Sequence, residues 1–235
     1  MLCFGACWRH NDGLLYGHIE FMSYSVKEIF CSFQGEGMHA GRVAVFCRFA
    51  GCNLWSGREA DRALAQCQFC DTDFVGTDGT FGGKYVAPEA LADAVARCWP
   101  VDAHTAPDRR WAVLTGGEPL LQVDEALIEA LHARGFEVAV ETNGTIAAPP
   151  GLDWICVSPK AGAPWVQQSG DELKVVVPQA AFDLGALAQM PFKHFLLQPM
   201  DGPLLRENTQ LAMRLCEQDP RWRLSLQWHK TLGIR

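Results

Sequence analysis

The sequence predicts an α/β fold, a βα barrel or partial barrel, and three observations support this prediction. Apolar, strand-like runs alternate with amphipathic segments, which is typical of parallel βα units with right-handed crossovers. Polar clusters follow six of the strands, and loops at the carboxyl ends of barrel strands build the active site. The 235 residues, 49% of them hydrophobic, suit one domain with a sizeable core. We therefore expect a barrel-like enzyme with one mouth.

The predicted elements follow one another along the chain. Strands are expected where apolar residues are nearly continuous, as in strands buried on both faces. They are an extended first segment at 26–33 and strands at 43–51, 111–116, 136–142, 154–159, 172–177, 194–199 and 221–227. Helices are expected at 88–99, 124–135, 180–190 and 207–218. Pro88 stands in the first turn of the first helix and Gly135 closes the second.

The polar clusters stand where strands end. "GCN" follows the first core strand, "TGGEP" the second, "ETNG" the third and "SPK" the fourth, while "QPMD" and "QWHK" follow later strands. Because parallel strands deliver their carboxyl ends to the same side, we expect these clusters to meet. A purely structural module has no need of six such clusters.

The acidic balance and the cysteine usage exclude several classes of protein. A formal net charge of -7 argues against a broad nucleic-acid or acidic-membrane surface. Charged and polar residues at 9–12 interrupt the apolar N-terminal runs, so no signal peptide is expected. No stretch approaches the roughly 20 apolar residues of a membrane span. Ten cysteines in a long, core-rich chain do not indicate a secreted disulfide scaffold. We expect a cytoplasmic protein with reduced thiols.

Three cysteines stand in a polar loop after the first core strand: Cys52, Cys67 and Cys70. A [4Fe–4S] cluster is normally held by four thiolates, so three would leave one iron open to a substrate or cofactor. One alternative is that they are ordinary buried small residues. Another is a zinc site completed by His39 or Cys31. A C-x-x-C after a strand end, with a third cysteine at the strand end itself, favours the cluster.

The other cysteines give weaker signals. Cys47, Cys98 and Cys216 stand inside apolar periodic segments and are expected to be buried hydrophobic residues. Cys3 and Cys7 form a C-x-x-x-C, but they precede every recognisable element. We interpret that pair as unrelated to the site.

The order of these motifs resembles a known family. "FQGEG", "AGR", "CRFAGCNLW", "CDTDF", "TGGEP", "ETNG", "SPK" and "QPMDGP" stand in the order found in 7-carboxy-7-deazaguanine synthases of the radical S-adenosyl-L-methionine (SAM) superfamily. The resemblance covers about residue 24 to the C-terminus. Fourteen residues separate Cys52 from Cys67, where most of the superfamily has three, and this long insertion matches the synthases.

The resemblance implies a fold, a reaction and a set of partners. The fold is an incomplete βα barrel of the radical SAM type. The reaction converts 6-carboxy-5,6,7,8-tetrahydropterin to 7-carboxy-7-deazaguanine with release of ammonia, a step toward 7-deazapurines such as queuosine. The implied cofactors are a [4Fe–4S] cluster, SAM and Mg²⁺. The implied partners are an electron donor such as flavodoxin and a second copy in a homodimer, with no nucleic acid and no membrane.

The resemblance also assigns cofactor residues. Cys52, Cys67 and Cys70 match the cluster ligands, and Thr72 matches a hydroxyl ligand of Mg²⁺. Gly116 belongs to the strip that receives the SAM amino group. The other residues matched to SAM binding are Phe69, Cys70, Asp71, Gly117, Glu118, Ser158, Pro159, Lys160, Gln198, Pro199, Met200 and Asp201.

Substrate residues are assigned in the same way. Glu36, Arg48 and Glu141 match catalytic positions. Glu36 is expected to accept from the amino-pyrimidine face and Arg48 to bind the substrate carboxylate through its guanidinium fork. The residues matched to substrate binding are Phe33, Gln34, Gly35, Glu36, Arg48, Thr115 and the C-terminal Arg235.

Two alternatives and one domain boundary complete the predictions. The alternatives are another radical SAM enzyme, such as a glycyl-radical activase, and a non-catalytic zinc-stabilised binding module. Residues 1–21 are expected to be a dispensable extension and 22–235 a single domain, because the resemblance begins just after Met22.

Overall fold

The computed structural model describes residues 23–100, 110–180 and 182–235, which form a mixed α/β fold around one nine-stranded sheet. The apolar runs seen in the sequence form its strands. They are β1 (Tyr24–Phe33), β2 (Val43–Phe49), β3 (Gly83–Tyr85), β4 (Arg110–Gly116), β5 (Phe136–Thr142), β6 (Trp154–Val157), β7 (Gly170–Val177), β8 (Phe192–Pro199) and β9 (Trp222–Leu224).

The strand order brings the predicted strand ends together. The sheet runs β3-β1-β2-β4-β5-β6-β7-β8-β9. Strand β1 pairs antiparallel with both β2 and β3, whereas every neighbouring pair from β2 to β9 is parallel. The carboxyl ends of seven strands therefore lie along the same edge, as the alternating pattern predicts.

In the described residues, five α-helices accompany the sheet. They are α1 (Pro88–Cys98), α2 (Glu125–His132), α3 (Leu184–Leu187), α4 (Leu205–Gln218) and α5 (Trp228–Leu232). Pro88 is at the first position of α1, where its missing N–H costs no hydrogen bond. Asp124 caps α2 by accepting from the Leu127 N–H at 2.9 Å. These local signals explain why both helix starts could be read from the sequence.

One face of the sheet is covered by helices and is apolar. The first core cluster packs α1 and α2 on strands β1, β2, β4 and β5, with Leu91, Leu114 and Leu127 fully buried. A second cluster packs α3 and α4 on β7 and β8 around Leu173 and Leu197. The burial of these side chains supplies the main stabilisation of the fold.

The opposite face is concave and carries aromatic and charged side chains. The segment that follows β1 crosses this face and reaches the far end of the sheet. There the Trp228 N–H donates to the Gly35 carbonyl at 2.9 Å, and the Gly37 N–H donates to Ser225 Oγ at 3.0 Å. Because β1 and β9 lie near opposite ends of the sheet, these contacts require it to curve.

Several boundaries differ from the sequence predictions. The helix expected at 180–190 is a single turn, α3, and the strand expected at 221–227 ends at Leu224. Strand β3 and helix α5 were not expected. Helix α5 follows β9 so closely that its apolar residues continue the alternating pattern of that strand. Strand β3 is only three residues long.

Two further predictions concern the ends and the surface. Residues 1–21, expected to be an extension, lie outside the described residues. Among residues 23–100, 110–180 and 182–235, no helix has the length and apolar character that crossing a membrane requires.

Candidate active site

A cavity of about 360 Å³ lies on the concave face at the carboxyl ends of the parallel strands. Each of the six polar clusters predicted from the sequence contributes to its lining, as Cys52, Gly117, Asn143, Ser158, Asp201 and Lys230 show. A cavity of this size suits a small-molecule site. The prediction that the six clusters meet is therefore confirmed.

Cys52, Cys67 and Cys70 line one side of the cavity, and together with Lys160 we call them the cysteine wall. The Cys67 thiol donates a hydrogen bond to Cys70, which lowers the pKa of Cys70 to about 6 and raises the pKa of Cys67. Burial raises the pKa of Cys52. The thiolate is the form that binds metal, so one member of this wall is already suited to a metal.

The cysteine side chains are not arranged around a single ion. In the part of the chain that the structure describes, no group of three or more His, Cys, Asp or Glu side chains is placed to hold a metal ion. His39, a candidate fourth zinc ligand, packs between Trp111 and Trp154, and Cys31 is exposed on β1. In an iron–sulfur cluster each thiolate binds its own iron, so the thiolates need not converge on one point.

The insertion between Cys52 and Cys67 folds back on the C-x-x-C segment. It contains a 3₁₀ turn at Glu59–Leu64. From this turn, Arg62 donates to the carbonyls of Gln68 and Cys70 at 2.9 and 3.0 Å, and its guanidinium lies 4.1 Å from the centre of the Trp55 ring. The insertion therefore fixes the position of the two later cysteines.

Glycine at position 117 is required by the close approach of the cysteine loop. A Cβ placed on Gly117 would lie 1.9 Å from the Gly51 carbonyl oxygen and 3.0 Å from Cys52 Cβ. The Gly117 N–H also donates to the Phe49 carbonyl at 3.2 Å. The "TGGEP" segment thus holds the first cysteine against the end of β2, in addition to lining the cavity.

Lys160 places a cation beside the thiols. Its Nζ donates to the Ser158 carbonyl at 2.5 Å and to Ser158 Oγ at 2.8 Å, and lies 6.0 Å from the centre of the Phe69 ring. Loss of hydration lowers the pKa of Lys160, and the charges of Cys67 and Cys70 oppose this. An ammonium group in this position stabilises thiolates.

Glu118 is a structural carboxylate. It is fully buried and accepts from the Leu120 N–H at 3.0 Å, from Thr142 Oγ1 at 2.7 Å and from the Asn143 N–H at 2.8 Å. Burial raises the pKa of Glu118, and the Asn143 N–H opposes that shift. The side chain joins the loops after β4 and β5 and is absent from the cavity lining. The structure therefore gives Glu118 a role that the sequence did not predict.

Thr72, the expected Mg²⁺ ligand, lines the cavity, and the carboxylates on either side of it form ion pairs with lysines. Asp71 pairs with Lys230 and accepts from Gln227 at 3.2 Å. Asp73 pairs with Lys27 at 3.1 Å. The two aspartates that flank Thr72 thus both have lysine partners.

Glu36, Glu141 and Lys174 also line the cavity and form what we call the carboxylate wall. Lys174 Nζ lies 2.5 Å from Glu36 Oε2 and 3.9 Å from Glu141 Oε1. Gln34 donates to Glu141 at 2.9 Å and Gln227 donates to Glu36 at 2.9 Å. These bonds hold both carboxylates toward the cavity.

Arg48 meets an unexpected partner on β1. Its Nε donates to Glu28 Oε1 at 3.0 Å, and the other Glu28 oxygen accepts from the Arg235 guanidinium. The backbone oxygen of Arg235 accepts from Ser32 Oγ at 2.6 Å. Arg235 is thereby held at the cavity.

Comparisons with known proteins give the family. No family model matches the chain. The 7-carboxy-7-deazaguanine synthase of Bradyrhizobium diazoefficiens is 64% identical over 214 residues, which cover 91% of this chain and 100% of that protein. The enzyme of the same name from Bordetella pertussis is 62% identical over 213 residues, with the same coverage. This chain belongs to the 7-carboxy-7-deazaguanine synthase family.

The fold agrees with membership of the 7-carboxy-7-deazaguanine synthase family. The crystal structure of QueE from Escherichia coli superimposes with a TM-score of 0.64 and 26% identity, covering 88% of this chain and 95% of that one. This chain is therefore an enzyme of that family, and neither the glycyl-radical activase nor the zinc-stabilised module is favoured.

Most residues predicted from the synthase resemblance line the cavity. Those that do are Phe33, Gln34, Gly35, Glu36, Arg48, Cys52, Cys67, Phe69, Cys70, Asp71, Thr72, Thr115, Gly117, Glu141, Ser158, Lys160, Gln198, Pro199, Asp201 and Arg235. Glu118, Pro159 and Met200 do not line it. Their contacts with SAM stay predictions.

Other charged or polar residues line the cavity without having been assigned a role from the sequence: Glu28, Asp73, Thr142, Asn143, Lys174, Gln227, His229 and Lys230. The last three belong to α5 or directly precede it, and the polar cluster "QWHK" was their only signal. Lys230 bonds to Asp71 and, at 2.6 Å, to Asp201, so α5 joins two segments expected to bind SAM. Lys174 could have been noticed as a charge inside the apolar run "ELKVVV".

Proposed function

We propose that this chain converts 6-carboxy-5,6,7,8-tetrahydropterin to 7-carboxy-7-deazaguanine with release of ammonia. One observation supports this most directly. In a chain of the synthase family, a single cavity is lined by three cysteines, by the Glu36 and Glu141 carboxylates and by the Arg48 guanidinium. Thiolates suit an iron–sulfur cofactor, while the carboxylates and the guanidinium suit a planar, hydrogen-bonding anion.

The residues present fit the proposed cofactors. Cys52, Cys67 and Cys70 are the three ligands that would hold a [4Fe–4S] cluster with one open iron. The Lys160 ammonium, whose charge acts to lower the pKa of both Cys67 and Cys70, supports thiolate ligation. The lining residues proposed to bind SAM are Phe69, Asp71, Gly117, Ser158, Lys160, Gln198, Pro199 and Asp201. We propose Thr72 as the hydroxyl ligand of Mg²⁺.

The chain's own residues bind and orient the substrate. Arg48 is fixed through its Nε by Glu28, which leaves its terminal nitrogens to face a substrate carboxylate. Glu36 and Glu141 accept hydrogen bonds from the amino-pyrimidine edge. When bound, the cluster and SAM supply the one-electron chemistry that removes a hydrogen atom from the substrate.

The proposal extends to architecture and partners. The curved sheet, with seven carboxyl ends at one mouth, supports a partial barrel of the radical SAM type. An electron donor such as flavodoxin and a homodimeric assembly belong to the proposal through the family resemblance.

An anaerobic assay tests the proposed activity. The reconstituted full chain is incubated with 6-carboxytetrahydropterin, SAM, Mg²⁺ and a one-electron reductant, and ammonia and 7-carboxy-7-deazaguanine are both measured. We expect the two products in equal amounts. A chain that carries its cluster and cleaves SAM but forms neither product would contradict the proposal.

Residues 1–21 are proposed to be dispensable. A chain beginning at Met22 should retain the iron content and the activity of the full chain. Loss of iron from the shortened chain would show that Cys3 or Cys7 takes part in the site.

A further inference from the structure

Lys174 lies at the centre of β7 and points into the cavity. Its neighbours Leu173 and Val175 are fully buried on the helix-covered face, so the two-residue alternation of the strand places Lys174 on the concave face. Lys174 is only 4% exposed. Lysine is rarely buried to this extent without an ionic partner.

The partners of Lys174 are the two carboxylates that face the substrate region. The ammonium lies 2.5 Å from Glu36 and 3.9 Å from Glu141. Each carboxylate has a second, neutral donor: Gln227 for Glu36 and Gln34 for Glu141. Of the three charged residues of the carboxylate wall, Lys174 is the one that contacts both of the others.

Ionisable groups from several neighbouring elements surround Lys174 and its two carboxylates. Glu172 stands two residues earlier on β7 and accepts from the Met38 N–H at 3.1 Å. The Cys156 thiol on β6 donates to Glu172 at 3.5 Å. Lys160, after β6, is another cation close enough to interact with Lys174. The remaining groups that face the wall through hydrogen-bond partners are Asp71 and Lys230, both by way of Gln227.

The fold itself has little need of an ammonium group here. A buried ion pair can often be replaced by apolar residues of similar volume with no loss of stability, because desolvation offsets most of the attraction. Breaking the pair by removing one partner is costly, because the other charge is then left buried. The presence of Lys174 is therefore better explained by what it does to Glu36 and Glu141.

We propose that Lys174 is a positioning residue for the substrate, which holds Glu36 and Glu141 as a fixed pair of charged hydrogen-bond acceptors. This inference rests on the proposed function, since it assumes that the wall binds a ligand with paired N–H donors. An ionised carboxylate accepts hydrogen bonds on both oxygens. A protonated carboxyl group instead turns an O–H donor toward the N–H donors of the ligand and binds it poorly. Lys174 thus makes the wall selective for an amino-pyrimidine edge.

The ionisation of Glu36 depends on this contact. Burial alone would raise the pKa of Glu36, but Lys174, with Gln227 and Gln198, outweighs burial and lowers it to about 2. Without Lys174, burial acts with less opposition and the pKa rises. Substrate binding should then fall as the pH drops through the raised pKa, and recover at higher pH.

The test is the Lys174→Met variant of the full chain, prepared anaerobically. The Kd of 6-carboxytetrahydropterin and kcat/KM are measured between pH 6 and pH 9. Buried glutamates without a cation reach pKa values of about 8–9, so we expect roughly 10- to 100-fold weaker binding at pH 7. The loss should shrink as the pH rises, and the iron content should equal that of the parent.

Three further variants isolate the effect. Lys174→Arg keeps the charge and should retain the parent pH profile. Lys193→Met removes the 2.6 Å ion pair with Asp171 on the neighbouring strand, outside the cavity, and should change neither Kd nor its pH dependence. In the double variant Lys174→Met with Glu36→Gln, one of the two carboxylates paired with Lys174 can no longer ionise, so binding should be weak and less dependent on pH than in Lys174→Met.

The outcomes separate this inference from the proposed function. Parent-like binding of Lys174→Met at every pH, or a loss that is the same at every pH, would overturn the positioning role. A pH dependence as strong in the double variant as in Lys174→Met would overturn the role assigned through Glu36. A parent chain that binds the pterin but makes no product would instead contradict the proposed function, and the Kd series would still decide the role of Lys174.

Discussion

The two walls of the cavity are built in different ways. The cysteine wall comes mainly from one stretch of chain, residues 52–70, whose only regular element is a 3₁₀ turn. The carboxylate wall takes Glu36 from the segment after β1, Glu141 from β5 and Lys174 from β7. In the cysteine wall, the thiols lie beside the half-buried Lys160. In the carboxylate wall, the carboxylates are paired with the buried Lys174.

This difference separates binding of the cofactor from recognition of the substrate. Residues of the cysteine wall can be substituted without altering the segments that carry the carboxylates. Residues of the carboxylate wall can likewise be substituted without altering the cysteine loop. We therefore expect substitutions in the first wall to abolish all chemistry. Substitutions in the second should spare the cofactor and weaken the substrate.

The largest effect is expected for Cys67→Ala. Loss of one of three thiolates should abolish the cluster and leave no detectable activity. Iron content and the visible spectrum of anaerobically purified protein measure this. Cys98→Ala and Cys216→Ala are the matched controls and should keep both iron and activity. Full iron loading of Cys67→Ala would rule out this residue as a ligand.

Arg48→Met should give the next largest effect. It removes the guanidinium expected to bind the substrate carboxylate and leaves Glu28 with Arg235 alone. Losing a charge-assisted hydrogen bond costs about 1.5–3 kcal/mol, or roughly 10- to 100-fold in kcat/KM. SAM binding and iron content should be unchanged. If Arg48→Met lost iron as well, Arg48 would be needed for the cluster and not only for the substrate.

An extension after Arg235 should have a smaller effect. Three added glycines move the terminal carboxylate away from the cavity, and we expect about a 10-fold higher KM for the pterin. Arg235→Gln, which keeps the carboxylate and removes the guanidinium contacts with Glu28 and the Phe30 ring, should raise KM less. An unchanged KM in the extended chain would show that the terminus takes no part in binding.

Thr72→Val should have the smallest effect. The substitution removes one hydroxyl oxygen and keeps the shape of the side chain, so the cluster should remain while most of the stimulation by Mg²⁺ is lost. Activity with and without Mg²⁺ measures this. A variant that responds to Mg²⁺ as the parent does would show that Thr72 is not a ligand.

The contrast between the cysteine wall and the carboxylate wall also explains which site residues could be predicted from the sequence. Cys52, Cys67 and Cys70 stand close together in a polar loop, so their spacing alone indicated a metal site. Lys174 and Glu28 gave no such signal, because each is one charged residue in a strand and its partner lies elsewhere in the chain. Pairing across a sheet is set by tertiary structure, which local patterns do not encode.

The strands and long helices were predictable for a related reason. The apolar runs of β2, β4, β5 and β7 and the cap of α2 are local features. Helix α5 is not, because it is held by contacts with distant segments, such as the bond from the Trp228 N–H to Gly35. Its role at the cavity depends on those contacts.

The independence of the two walls is tested most directly by the Glu36→Gln variant. Its iron content, its Kd for SAM and its rate of 7-carboxy-7-deazaguanine formation are measured on one anaerobic preparation beside the parent chain. We predict parent-like iron and SAM binding, with product formation reduced at least roughly 10-fold through the loss of one charged acceptor. Loss of iron or of SAM binding together with activity would contradict the separation of cofactor and substrate walls.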